Sequence, residues 1–213
     1  MKGFDYSKIP HSKFYDIFKP IGGRFGKMYF DFDYIGTENI PKEGGFIIAS
    51  NHIHAIDPGV IGLGIDGRQL HFMGKKELFE KPISRWFYTH LNGFPIVRGG
   101  ADTEALRFAV RIVEEGHILG IFPEGTRSDD QKPKRPKNGV ARIAKASHAN
   151  ILPVALINTD NFKFRSKYTV RFGKMIPYEE LGLTEDGGRE ELKNASDYIM
   201  DKIIELWEEG HCE

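Results

Sequence analysis

A histidine and an aspartate five residues apart, with a proline directly behind the aspartate, form the densest polar cluster of this 213-residue chain: Ser50-Asn51-His52-Ile53-His54-Ala55-Ile56-Asp57-Pro58. On one continuous helix, at ~100° per residue, His52 and Asp57 would point about 140° apart and could not touch. Across a turn into a helix start they can meet. Asp57-Pro58 has that form, with aspartate as N-cap and proline at the first helical position. A carboxylate fixed there accepts one imidazole N–H and leaves the other ring nitrogen free as a general base. Two other readings compete. His52-Ile53-His54 is the H-x-H opening of a dinuclear metal site, but Ile56 stands where that motif places an aspartate and Pro58 where it would place a further ligand, so no metal is expected. The other reading is an ordinary helix cap beside a surface histidine.

The chain has no Gly-x-Ser-x-Gly, and its single cysteine, Cys212, is one residue from the C-terminus. Neither a nucleophilic serine on a strained elbow nor a catalytic thiol is supported. A base at position 52 would therefore act on a hydroxyl carried by the substrate.

A second cluster, Gly120-Ile121-Phe122-Pro123-Glu124-Gly125-Thr126-Arg127-Ser128, follows another apolar run. Its Gly-x4-Gly spacing is that of a nucleotide-phosphate loop, but Thr126 occupies the position of the lysine that would grip the phosphates. An NTPase is excluded. Arg127 is suited to a bidentate pair with a phosphate or, alternatively, to a local ion pair with Glu124. Arg98 closes the run Gly93 to Gly100, and Lys75 follows Gly74 at the end of a further one.

These residues need a scaffold that brings strand ends together. The sequence supplies it as apolar runs at 46–50, 70–73, 95–97, 118–122, 151–157 and 168–172, preceded by the period-two segment Phe30 to Tyr34. Between them lie helical patterns. Pro82 starts one that carries Ile83, Trp86, Phe87 and Leu91. Asp102 caps a second that ends at Gly116, a third runs from Asn138 to His148, and Leu192 to Trp207 form the last. Such alternation predicts a single α/β domain with a mainly parallel, mixed sheet of about seven strands flanked by helices. α/β proteins place their sites at strand ends. The domain is expected over 30–213, preceded by an aromatic arm over 1–29. Ten of the 26 aromatic residues fall in the first 34, interleaved with lysines and Arg24. Ser12 is expected to cap a short helix there, with Pro20 and Gly22-Gly23 ending it. That arm suits either packing on the core or a place in a lipid headgroup layer.

Thirty bases and thirty acids cancel to a formal charge of zero. The cancellation hides an asymmetry: residues 179–213 carry twelve acids and three bases, so residues 1–178 are basic by nine charges. Gln131 to Lys145 holds six bases and no acid. Such stretches attract phosphate-bearing partners. This one lacks interleaved aromatics for base stacking, which excludes nucleic acid as the expected partner. One cysteine in 213 residues fits a reducing compartment. The longest apolar runs fall far below the ~20 residues of a membrane span, and no secretory signal is visible.

Four blocks, in order, carry a resemblance. Asn51-His52-x4-Asp57-Pro58 resembles the His-x4-Asp signature of the glycerolipid acyltransferases, the lysophosphatidate (1-acylglycerol-3-phosphate) acyltransferase type. Phe94-Pro95-Ile96-Val97-Arg98, Phe122-Pro123-Glu124-Gly125-Thr126-Arg127-Ser128 and Ile151-Leu152-Pro153-Val154-Ala155 resemble the second, third and fourth blocks. The resemblance spans about residues 30–175. It implies transfer of a fatty acyl group from acyl-CoA or acyl-carrier protein to a lysophospholipid hydroxyl, giving phosphatidate, with no further cofactor. His52 would be the base and Asp57 its orienter. Glu124 and Gly125 would shape the acceptor site, with Asn51 and Thr126 beside them, and Arg127, Arg98 and Lys75 would bind the acceptor phosphate. Pro153 would break or bend a buried strand near the acyl tunnel. The expected location is cytoplasmic, peripheral on the inner face of the cell membrane, held by an anionic lipid surface. The alternatives are another hydroxylated lipid as acceptor, or a non-catalytic lipid-binding adaptor.

Overall fold

A computed structural model describes residues 4–97, 102–158 and 163–210. The apolar runs form β1 (Asp31–Ile35), β2 (Phe46–Ser50), β3 (Leu70–Lys75), β4 (Gly93–Ile96), β5 (Ile118–Ile121), β6 (Ile151–Ile157) and β7 (Lys167–Phe172). They join into one sheet in the order β1-β7-β6-β2-β5-β3-β4. Every pairing is parallel except β6 with β7. The sheet is therefore mainly parallel and mixed, as its pattern of elements implies.

Strands covered on both faces read as unbroken apolar runs, and β2 and β6 are buried at every residue. One face packs against α4 (Thr103–Glu114), α5 (Gly139–Ser147) and α6 (Arg189–Glu209) through Phe108, Ile112, Val140, Ile143, Ile199 and Ile203. The other packs against α2 (Asp57–Gly64), where Val60 and Ile61 meet Ile48, Leu152, Tyr168 and Val170. Asp102 caps α4, accepting from the Ala105 N–H at 3.2 Å. Gly116 follows that helix at φ +84, a left-handed position that costs glycine least.

Two local expectations are corrected. The N-terminal helix does begin at the Ser12 cap, whose Oγ accepts from the Tyr15 N–H. Pro20 and Gly22-Gly23 do not end it, however, and α1 runs through them from Lys13 to Tyr29. Packing overrides the local signal: a Cβ on Gly23 would sit 3.0 Å from Leu63, and one on Gly26 2.7 Å from the Phe32 ring. The glycines let the helix lie close on α2 and β1. The helix expected at Pro82 is α3 (Pro82–His90), which does start at that proline; none of its residues is buried, and Ile83 is 84% exposed. The second correction is that Pro153 does not interrupt β6, which continues to Ile157 with Pro153 in register with Ala49. The β6–β7 ladder begins one residue later, at Val154, and beside it the Pro153 carbonyl accepts from the Gly173 N–H at 2.9 Å.

Candidate active site

A parallel sheet delivers its strand ends to one edge. The loop after β2 holds His52 and Asp57, the loop after β5 holds Glu124 to Ser128, and Lys75 closes β3. Arg98, beyond the end of β4, lies outside the described residues.

Asp57 sits inside the first turn of α2, with Ile56 at the cap position and no side-chain capping bond. This differs from the expected N-cap. The carboxylate turns back instead into the loop that precedes it. Its Oδ2 accepts from His52 Nδ1 at 2.7 Å, from the Ile53 N–H at 2.8 Å and from the His54 N–H at 2.9 Å. Its Oδ1 accepts from the Tyr168 hydroxyl at 2.7 Å. Asp57 is fully buried, and a buried charge persists when it is paired and hydrogen-bonded. Donation to the carboxylate assigns the proton to Nδ1 and leaves Nε2 as the acceptor. Among the described residues Nε2 has no hydrogen-bond partner. The imidazole stacks on Phe122 at 4.0 Å between ring centroids and 16° between planes, which fixes the direction of that free nitrogen.

Both backbone groups of His52 are tied to the second loop. The His52 N–H donates to Glu124 Oε1 at 3.0 Å, and the His52 carbonyl accepts from the Ser128 N–H at 2.7 Å. Glu124 is thus committed to the loop of the base and does not pair with Arg127. Its Oε2 is buried without a hydrogen-bond partner among the described residues. Burial, opposed in part by the His52 N–H and Lys134, pushes its pKa up to about 7. Beyond it the chain turns at Gly125, φ +70, and exposes Thr126 and Arg127. No carboxylate among the described residues pairs with the Arg127 guanidinium. Lys137 lies against the same turn, its Nζ 3.0 Å from where a Gly125 Cβ would be. Lys134 holds the turn from outside through the Arg127 carbonyl at 3.2 Å.

Two residues expected at the acceptor site have other partners within the protein. Asn51 is fully buried, and its carboxamide both donates to the Leu156 carbonyl, at 2.9 Å, and accepts from the Leu156 N–H, at 2.7 Å. It staples the loop to β6 and has no face left for a substrate. Lys75 is exposed and pairs with Glu77 at 3.4 Å. Sequence reasoning missed Tyr168, Phe122 and Lys137 as parts of this site. Phe122 opens the third block but was given no role there. Lys137 was visible only as one base of a charged stretch, and Tyr168 gave no signal beyond that of a strand residue.

Beside the segment Ala55 to Gly59 lies a cavity of about 530 Å³ between α1, α2 and α3. Phe18, Phe25, Phe30, Phe72, Leu63 and Phe87 line it, together with Gly22 and Gly26, and Lys19 is the one charged lining residue. The outer side of α1 presents Ile17, Ile21, Phe25 and Met28 to solvent at helical spacing, and Trp86 of α3 is also exposed. Among the described residues no group of three or more histidines, cysteines or carboxylates is arranged to hold a metal ion, and no helix is long and apolar enough to cross a membrane.

Comparison with known proteins gives concordant matches. The Acyltransferase family model matches residues 31–157. A 1-acyl-sn-glycerol-3-phosphate acyltransferase of Bacillus subtilis is 36% identical over 118 residues, 55% of this chain and 58% of the relative's length. The enzyme of that name from Borreliella burgdorferi is 31% identical over 182 residues, 81% of this chain and 70% of the relative. Among solved structures, the 1-acyl-sn-glycerophosphate acyltransferase PlsC of Thermotoga maritima superposes with a TM-score of 0.72 at 28% identity, covering 93% of this chain and 80% of that one.

Proposed function

We propose that this chain, which belongs to the Acyltransferase family, is an O-acyltransferase that moves a fatty acyl group from an acyl thioester to the free hydroxyl of 1-acylglycerol-3-phosphate, giving phosphatidate. One observation carries the reading: a buried carboxylate holds the His52 Nδ1–H at 2.7 Å, and among the described residues the ring's other nitrogen has no hydrogen-bond partner and the arginine on the adjoining loop no carboxylate.

The chemistry follows from that geometry. Nε2 of His52 takes the proton from the acceptor hydroxyl, and Asp57 stabilises the imidazolium that results. The alkoxide oxygen forms a bond to the thioester carbonyl carbon, whose π electrons move to oxygen. The tetrahedral intermediate collapses, the C–S bond breaks, and the leaving thiolate recovers the proton from His52. No acyl-enzyme is needed. General-base assistance of this kind is typically worth ~10²–10⁴ in rate. Arg127, with Lys137 beside it, provides the cations for the acceptor phosphate. Either acyl-CoA or acyl-carrier protein serves as donor in this reading.

The apolar cavity next to α2 suits an acyl chain, with volume and lining in the range of a small-molecule site. The exposed apolar stripe of α1, with Arg24 and Lys27 near it, suits contact with an anionic bilayer and supports a peripheral location on the inner face of the cell membrane.

The test is to incubate the purified chain with mixed acyl thioesters and lipid acceptors, then read thiol release and products by mass spectrometry. Release that depends on lysophosphatidate and yields phosphatidate is the expected result. Vesicle binding with no transfer across the panel would replace the enzyme with a lipid-binding adaptor.

A further inference from the structure

We propose that Tyr168 is a positioning residue for the reaction: its hydroxyl fixes Asp57 so that Oδ2, and with it the His52 ring, is held in one orientation. The two oxygens of Asp57 are satisfied from different places. Oδ2 receives three donors, all from residues 52–54 of its own loop. Oδ1 receives Tyr168, the one donor to that atom among the described residues, from a strand 111 positions away in sequence. A loop can swing with the carboxylate it binds. A donor on the sheet supplies the external reference that stops the swing.

The tyrosine is built for that task. It is fully buried on β7, in register with Phe32 of β1, and Phe30 packs against its ring at 5.9 Å. Burial first, and the Asp57 charge next, hold its phenol pKa well above the usual range. It therefore remains a protonated donor across the working pH range. The other ionisable groups around the pair are Glu124, which feels the Asp57 charge, and Tyr34, which feels Tyr168. Tyr34 offers an internal contrast. It is only half-buried, against α2, and its hydroxyl donates to the Val60 carbonyl at 3.0 Å and does not touch the pair.

This inference rests on the reading of His52 as the base. Tyr168→Phe keeps the ring and deletes the donor, leaving Oδ1 buried and unmatched. With one donor gone, more of the carboxylate's charge falls on the imidazolium and its orientation loosens. The expected result is a roughly tenfold fall in kcat with little change in KM for either substrate, and an acidic limb of the kcat/KM profile moved upward by about half a pH unit. In an Asp57→Asn background the same change should have no further effect on kcat, because the tyrosine then has no carboxylate to hold. Tyr34→Phe should lower Tm without moving the limb. Should Tyr168→Phe fail to fold, 3-fluorotyrosine at position 168, nearly isosteric and a stronger donor, should move the limb the opposite way. A Tyr168→Phe protein with parental kcat and pH profile, an equal loss in the Asp57→Asn background, or an unmoved limb with 3-fluorotyrosine would each overturn the proposal. If the parent chain transfers no acyl group, the reading of the base fails separately. The tyrosine is then judged by NMR titration of the His52 ring, whose midpoint rises in Tyr168→Phe if the proposal holds and stays in place if it does not.

Discussion

The two loops that meet at the site are stabilised in opposite ways. In the loop after β2 every polar side-chain atom of Asp57 and Asn51 is matched by a partner inside the protein. In the loop after β5 the exposed tip carries an arginine with no carboxylate beside it among the described residues and a lysine pressed on the same glycine turn. In the proposed reaction the first arrangement holds the proton acceptor in place before substrate arrives, so little reorganisation is left for the transition state. The second leaves positive charge to be matched by an incoming anion. Glu124 joins them, since it belongs to the second loop and spends its oxygen on the backbone of the first.

That contrast can be broken or sharpened by experiment. The largest effect belongs to the rigid loop: His52→Ala should lower acyl transfer by about 10²–10⁴-fold while circular dichroism and Tm stay near the parent values. Undiminished turnover in that protein would end the assignment of the base. Next comes the open loop, where Arg127→Ala should raise the acceptor KM on the order of tenfold to a hundredfold and leave kcat largely intact. A fall in kcat at unchanged KM would instead give the arginine a share in orienting the hydroxyl, and the two loops would no longer divide the work. Outside both, Ile17→Asp on the exposed face of α1, away from the cavity lining, should weaken binding to anionic vesicles roughly tenfold, read by co-sedimentation, with transfer to a water-dispersed acceptor little changed. Equal vesicle binding would move the membrane contact elsewhere.

The smallest effect concerns the link between the loops and has a defined sign. The Glu124 pKa is raised above its ordinary carboxylate value to about 7 in the folded protein. Its neutral form is therefore favoured by folding, and the associated stability is present below pH 4.5 and lost as pH rises through about 7. Glu124→Gln keeps the oxygen that accepts from His52 and removes the titration. Tm of the parent relative to this variant should decline between pH 4.5 and 8, and parallel Tm curves would count against the burial argument.

The sheet and the His52–Asp57 pair were legible because their signals are local. A buried parallel strand is an unbroken apolar run, and a polar cluster directly behind one has few structural uses. The continuation of α1 past Pro20 was not legible, since proline and glycine report local preference while close packing of Gly23 and Gly26 on Leu63 and Phe32 decides the outcome. Asn51 was expected to bind substrate beside His52 for a related reason, yet its own carboxamide pairs with the backbone of Leu156 in β6. Tyr168 could not have been found, because a tyrosine inside an apolar strand reads as core, and only the fold shows that its hydroxyl reaches Asp57.

The position of β7 has a practical side for anyone cutting or fusing this chain. The family model stops at residue 157, while β7 occupies Lys167–Phe172 and is the one strand that pairs with β1. A fragment trimmed to the matched segment would orphan its own first strand and discard the phenol that donates to Asp57. The sheet that holds the pair extends fifteen residues past the recognisable signature, from 157 to 172.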